Sequence, residues 1–312
     1  MPISVPAQQS FPFIVGCGRS GTTLLRTMLN SHPDLAIPRE SHFLIEAFSR
    51  RNLELEPRHA LLEILTRSTW FSAWNFDLER VREALNRPPP QDIGEAVRRL
   101  YRAYAAAQGK SRYGDKTPIY VMHMPTLLHR LPEARFVHLI RDGRDVALSF
   151  LEADFGPQTI EEAALHWRQR IRRGREVGRH LTENQYLEVT YEDLISNPES
   201  CLRTICAFID LPFHPSMLDY QNRLKDFAGT NALPSHHRNL ARNPGVTRRW
   251  QQEMEERGAV RFELLAGREL TRAGYPVSGR SPMWADRCQA GMAWLRWQGY
   301  RLGKKLGLSR AT

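Results

Sequence analysis

The chain contains no apolar run approaching the roughly 20 residues that a membrane-crossing helix needs. Its N-terminus lacks the charged-then-apolar pattern of a secretory leader. A cytoplasmic protein without a membrane span is expected, with association at a membrane surface left open. Cysteine is scarce: Cys17, Cys201, Cys206 and Cys288 form neither a C-x-x-C nor a paired framework. Free thiols in a reducing compartment are therefore expected, and no metal site. Repeats and low-complexity tracts are absent, and nothing near the middle of the 312 residues reads as a flexible linker, so one large domain is expected. Acidic residues are the minority charge. The 34 Asp and Glu against 44 Lys and Arg leave a formal +10, which favours anionic partners: a nucleotide, a polyanionic substrate, nucleic acid or a membrane surface. With 41% hydrophobic and 25% charged residues the composition is that of a globular protein and excludes a disordered one.

The most informative absence is a single lysine. Phe11 to Val15 is an apolar run, Gly16-Cys-Gly-Arg-Ser-Gly-Thr-Thr23 follows, and Leu24 to Asn30 has helical periodicity. A strand entering a Gly-rich turn and then a helix aims backbone N–H groups and the positive end of a helix dipole at one point, which suits an anion. The spacing Gly16-x-x-x-x-Gly21 is that of a phosphate loop, yet Thr22 stands where a nucleotide triphosphatase places its lysine. Cys17 in this loop reads as a small packing residue, because a thiol phosphatase needs a longer cysteine-to-arginine spacing.

Further along, Ser31-His32-Pro33 ends the first helix and Asp34 to Pro38 is extended. Arg39-Glu40-Ser41-His42 reads as the opening of an amphipathic helix that buries Phe43, Leu44, Ala47 and Phe48. Residues 57–108 are helical in pattern, interrupted at Pro88-Pro89-Pro90, and form a helical insertion covering one side of a sheet. Tyr113-Gly-Asp115-Lys116-Thr-Pro118 is a turn-rich segment before a helix over Ile119–Leu131. Arg135 to Ile140 is a second buried strand, closing in Arg141-Asp-Gly-Arg144-Asp145 and a helix. Gln185 to Thr190 is a third, followed by Tyr191-Glu192-Asp193-Leu194. Strands separated by helices predict an α/β fold with a central parallel sheet flanked by helices and ligands at the carboxyl ends of the strands. A domain over residues 1–275 is followed by a basic tail, 276–312, whose Trp284, Cys288, Met292, Leu295, Leu302 and Leu306 fall at helix spacing. This amphipathic C-terminal helix could lie on an anionic membrane, dock a partner or pack on its own domain.

Arg19, the N–H groups from Ser20 to Thr23 and three hydroxyls suit a phosphate or sulfate group. Arg141 at the second strand end, with Ser149 two turns along the next helix, suits a second one. Arg144 and Asp145 read as a local ion pair and helix-start charges, and Asp115 as a group orienting Lys116. Two anion sites at neighbouring strand ends imply a ligand phosphorylated at two separated positions.

These residues carry a resemblance. Phe13-Ile-Val-Gly-Cys-Gly-Arg-Ser-Gly-Thr-Thr-Leu resembles the 5′-phosphosulfate loop of sulfotransferases that use 3′-phosphoadenylyl sulfate (PAPS), and Phe136 to Ser149 resembles their 3′-phosphate segment. Both occur in that family's order, and the branch most similar includes tyrosylprotein sulfotransferases and many bacterial enzymes. The resemblance implies a P-loop-like α/β fold over most of residues 11–275. It implies PAPS as sulfuryl donor, adenosine 3′,5′-bisphosphate (PAP) as product and no required metal. Glu40 falls at the catalytic glutamate and Lys116 at a lysine near the transferring group, with Arg19 a further cation there and His42 a rival to Glu40 as base. Arg19, Ser20, Gly21, Thr22, Thr23, Arg141 and Ser149 would hold the donor, Tyr191 would contact its adenosine, and the segment from Ser235 to Arg249 would close over the nucleotide. The acceptor hydroxyl, or amine, is left open among glycan, tyrosine or other phenol, lipid and small alcohol, with no nucleic acid partner. A small-molecule kinase or nucleotide triphosphatase of the same layered fold is the first rival reading; Thr22 argues against it. A non-catalytic polyanion-binding protein is the second, favoured by the charge.

Overall fold

The computed structural model describes residues 9–49, 56–86, 88–219 and 247–305. The opening apolar run forms β1 (Phe11–Gly16), every residue of it buried. Alternation along the strand sends Phe11, Phe13 and Val15 into one core and Ile14 into another. The chain then continues through α1 (Thr22–Asn30), β2 (Leu35–Ala36), α2 (Leu44–Ser49), α3 (Pro57–Arg67), α4 (Thr69–Ser72), α5 (Leu78–Ala84) and α6 (Ile93–Ala107). Next come β3 (Arg112–Tyr113), β4 (Asp115–Lys116), α7 (Met124–Arg130), β5 (Ala134–Ile140), α8 (Gly143–Leu151), α9 (Ile160–Gly178), β6 (Tyr186–Thr190), α10 (Tyr191–Ser196) and α11 (Pro198–Phe208). After residue 246 the described chain resumes with α12 (Trp250–Glu253), α13 (Glu256–Arg272) and α14 (Trp284–Lys305).

Four strands form one sheet in the order β4-β1-β5-β6, parallel throughout. β1 and β5 are in register from Phe11 opposite Ala134 to Gly16 opposite Leu139. The connection leaving β1 leads to β4 on one side and the connection leaving β5 leads to β6 on the other. That reversal opens a crevice at the carboxyl ends of β1 and β5, the usual ligand position in such sheets. β2 and β3 make a separate parallel pair.

Helices α3, α5 and α6 pack with Phe11, Phe13 and Phe136 on one face. α1, α10 and α11 cover the other, against Ile14, Val137 and Leu139. A third core joins α8, α9 and α13 around Trp167 and Phe262.

Four expectations are corrected. Asp115-Lys116 is a strand: a polar dipeptide carries no strand signature, and its parallel pairing with Phe13 and Ile14 makes it one. The helix expected over Ile119–Leu131 divides into a 3-10 turn, Pro118–Met122, and α7, because Pro125 has no N–H to continue the ladder. Glu40 does not open a helix. Arg26 holds the preceding chain through the Ile37 and Pro38 carbonyls at 2.9 and 2.7 Å, His42 has φ of 43°, and α2 begins only at Leu44. Finally, Arg144 pairs with Asp142 at 2.7 Å and Glu263 at 2.8 Å, not with Asp145, which instead faces Arg141.

The Arg144 guanidinium, wholly buried, also lies 3.5 Å over the Trp250 ring and donates to the Pro276 carbonyl at 2.9 Å. It thus ties the turn after β5 to α12, α13 and the chain beyond. Arg144→Met would strand two carboxylates, and removing one partner of a buried ion pair costs about 3–5 kcal/mol. Urea denaturation should show a loss of that size; a loss below about 1 kcal/mol would mean the network contributes little.

Candidate active site

At the exit of β1 the backbone leaves no choice of residue. Gly16 has φ of 154°, and a Cβ there would stand 2.5 Å from the Leu139 carbonyl oxygen; Gly21 has φ of 90°, and a Cβ there would stand 2.4 Å from the Tyr191 ring. Glycine alone lets the turn pass between β5 and α10. Gly21 is the N-cap of α1, whose first turn carries no acidic residue, so no side chain of its own opposes the positive end of the helix dipole. Ser20 Oγ is buried and has no hydrogen-bond partner among the described residues, so an anion oxygen in the cradle would satisfy it.

The second turn meets the first directly. Arg19, held at φ of 69°, donates from Nε to Ser149 Oγ on α8 at 3.0 Å. Arg141 Nη1 reaches the Arg19 carbonyl at 3.4 Å, its guanidinium lies 4.5 Å from the Tyr191 ring centroid, and Nη2 faces Asp145 at 3.3 Å. Asp145 also accepts from the backbone N–H groups of Arg248 and Trp250 at 2.8 and 2.9 Å, which brings the chain at 248–250 beside the second turn. Burial pushes the Arg19 guanidinium down from its ordinary value, and neighbouring Arg141 adds to that. Two arginines this close make the crevice a place where an anion is favoured.

Edge strand β4 supplies the third component. Lys116, side chain almost wholly buried, extends Nζ to Glu40 Oε1 at 2.6 Å, with Thr23 Oγ1 of α1 at 3.5 Å on its other side. The second carboxylate oxygen of Glu40 meets His42 Nε2 at 2.7 Å, and the imidazole stacks on Trp70 of α4 with centroids 3.9 Å apart. The row Thr23, Lys116, Glu40, His42 and Trp70 therefore runs from the anion cradle outward. Glu40 and His42 are 26% and 29% exposed, enough for an incoming group to touch them. Burial raises the Glu40 carboxyl, but Lys116 and the His42 hydrogen bond outweigh it and hold it at about 2. Burial lowers the Lys116 ammonium, with Glu40 opposing that shift. The carboxylate is thus ionised at neutral pH and tightly held.

Several positioning residues went unnoticed in the sequence. Ser41 N–H donates to Thr117 Oγ1 at 2.9 Å, Ser41 Oγ shares a hydrogen bond with Tyr120 at 2.8 Å, and Trp74 Nε1 reaches the Glu40 carbonyl at 3.4 Å. Ser41 and Thr117 directly follow Glu40 and Lys116, a signal available in the sequence. Arg26, Trp74 and Tyr120 converge only through tertiary packing. Asp115 turns the other way and accepts from Tyr101 at 2.7 Å, fixing β4 against the insertion instead of orienting Lys116 directly. The structure brings together Arg19, Ser20, Gly21, Thr22, Thr23, Glu40, Lys116, Arg141, Ser149 and Tyr191 around one crevice. Arg249 lies in the chain beside the second turn, where its guanidinium pairs with Glu152 and Glu253. Ser235 lies outside the described residues, as does most of the segment leading to Arg249.

Comparison with known proteins points to the same chemistry. A family model described as "Sulfotransferase family" matches residues 13–215. A protein-tyrosine sulfotransferase of Drosophila melanogaster is 25% identical over 216 residues, 67% of this chain but 40% of that protein. A putative protein-tyrosine sulfotransferase of Caenorhabditis briggsae is 28% identical over 216 residues, 67% of this chain and 68% of its own length. This chain therefore spans well under two thirds of the Drosophila relative. Among solved structures, the sulfotransferase domain of a Synechococcus olefin synthase superposes with a TM-score of 0.52 at 26% identity, covering 80% of this chain and 91% of that domain. The sulfotransferase domain of the curacin biosynthetic pathway, at 19% identity, shares the fold with the same TM-score over 86% of this chain and 99% of its own. With its family model spanning most of the chain and both turns inside the matched residues, the protein belongs to the sulfotransferase family.

Proposed function

We propose that this chain transfers the sulfuryl group of PAPS to an acceptor hydroxyl and releases PAP. The observation that carries the reading is the direct bond between the two turns, Arg19 Nε to Ser149 Oγ, with the Lys116–Glu40 pair beside the first of them. A donor carrying a 5′-phosphosulfate and a 3′-phosphate matches two cationic sites so joined. The Ser20 hydroxyl, without a partner among the described residues, and the first-turn N–H groups of α1 suit the 5′ end. Arg141 and Ser149 suit the 3′-phosphate, and Tyr191 beneath Arg141 suits the adenosine. Bound PAPS would supply the transferring sulfuryl group and its leaving phosphate.

The chain's own residues divide the remaining work. Glu40 accepts the acceptor proton as general base, and His42 orients it through Oε2. Lys116, between Thr23 and Glu40, and Arg19 neutralise charge that develops on the sulfuryl group and leaving oxygen. The exposed edge of the His42–Trp70 stack is where the acceptor approaches, and a phenol is the first acceptor to try, given the named activity of the relatives. The four cysteines, all free, fit a reducing compartment, so a cytoplasmic setting is part of the proposal.

Calorimetry should show binding of PAP and none of comparable strength for ATP with magnesium; a preference for ATP would overturn the reading. Glu40→Gln should lower kcat by about 10²–10⁴-fold while PAP affinity stays within about threefold, because the base does not touch the nucleotide phosphates. Equal losses of both would instead assign Glu40 to structure. Lys116 titrates from cation to neutral as pH rises, and burial brings that event below the ordinary lysine value. With a non-titrating alcohol acceptor, kcat/KM should therefore fall on the alkaline side as this charge is lost. Lys116→Arg, whose guanidinium keeps its proton, should move that limb to higher pH, and an unmoved limb would assign it to another group.

A further inference from the structure

Helix α14 is anchored by one face only. Asp286 and Ala290 are buried, and Ala293 and Trp297 pack against the third core, a spacing that keeps one face turned inward. Asp286 accepts from Arg257 of α13 at 3.0 Å and caps the helix start through the Met283 N–H at 2.9 Å. The stripe read from the sequence as a candidate docking face, apart from Leu306, which lies outside the described residues, points the opposite way. Trp284 is 80% exposed, Leu295 64%, Leu302 59% and Met292 52%, with partly exposed Cys288 between them. At about 100° per residue these five fall within one outward sector, and Arg287 and Arg296, both exposed, flank it on either side.

We infer that this outward face of α14 seats on an anionic lipid bilayer. Charge decides the occupant. Asp286 is the sole acidic residue from position 280 onward, and it is turned inward and paired, so the outer surface of the helix is apolar and cationic without an acidic neighbour of its own. A second copy laid on the same stripe would bring arginine against arginine, which disfavours self-association. The stripe is also a convex ridge on a helix, the shape that sinks into a headgroup layer. No helix among the described residues is long and apolar enough to cross a membrane, so α14 lies along the surface instead of spanning it. An arginine-flanked apolar face carrying tryptophan at one end has the composition of such interfacial helices, where burial of apolar area and attraction to anionic headgroups add.

Flotation of the full chain with vesicles tests this. Vesicles of phosphatidylcholine with phosphatidylserine should carry the protein, and phosphatidylcholine alone should carry about tenfold less. The double variant Trp284→Ser, Leu295→Glu alters two exposed side chains and should keep its circular dichroism spectrum and PAP affinity. It should bind anionic vesicles at least about tenfold more weakly. Failure of the unmodified chain to float with anionic vesicles would overturn the inference. So would undiminished flotation of the variant, since that would assign binding to charge alone. Self-association of the unmodified chain without vesicle binding, abolished in the variant, would show that a second copy covers the stripe. None of these readouts depends on sulfuryl transfer, so the inference and the proposed activity fail separately.

Discussion

Two contacts with no space in them govern the rest of this molecule: the Leu139 carbonyl against Gly16 and the Tyr191 ring against Gly21. Both belong to neighbouring strands or their exits, so the turn between β1 and α1 is clamped from the side where β5 and β6 run. The clamp fixes where α1 starts, and with it the direction of the first-turn N–H groups. Because Tyr191 also lies beneath Arg141, the same ring that excludes a side chain at Gly21 sets the position of the second cationic group. The separation of the two anion sites is therefore a property of the sheet register between β1 and β5, which backbone hydrogen bonds hold far more rigidly than loop side chains could.

Charges are buried here in two ways with different consequences. Arg144 is matched completely, by two carboxylates, a carbonyl and an aromatic face, and its neutralised network joins three segments distant in sequence. Lys116 is matched by Glu40 alone among the charged groups of the described residues within bonding distance, and Glu40 remains reachable from outside. A pair with one partner at the surface can exchange that partner for an incoming anion, whereas the Arg144 network would have to break to do so. The first arrangement supports structure and the second leaves room for chemistry, although both would look alike as charged residues in a sequence.

That difference also explains what was legible beforehand. Strands β1 and β5 announced themselves because buried parallel strands are continuous apolar runs, and edge strand β6, where only Val189 is buried, through its aromatic and β-branched residues. The loop from Gly16 to Thr23, Arg141 and Ser149 followed from their positions at strand ends, and resemblance supplied roles for Glu40 and Lys116. Strand β4 was illegible: Asp115 and Lys116 are polar, and only pairing with β1 makes them extended. The loop conformation of Glu40 was equally hidden, since it depends on Arg26, Ser41 and Tyr120 meeting from separate elements. In the C-terminal helix, apolar periodicity identifies a stripe without saying which way it faces. Asp286, held by Arg257, decides that.

The site is divided between two sources in the chain, and the division bears on how its specificity is set. Everything on the anion side comes from the sheet and its exits: the loop after β1, Arg141 and Ser149 after β5, Tyr191 after β6. The opposite side comes from the segment after β2 and from the insertion, where Trp70 on the four-residue helix α4 stacks on His42 and Trp74 reaches the Glu40 carbonyl. Substitution on α4 can reshape the approach to Glu40 while the strand register and the clamped glycines stay as they are, because α4 adds no residue to either cationic turn. The halves are coupled by Lys116, which contacts Thr23 on one side and Glu40 on the other, and by Arg26 of α1, which holds the Ile37 and Pro38 carbonyls. Under the proposed activity, the donor is then a constant of the fold and the acceptor a variable of the insertion, with the Lys116 ammonium between them.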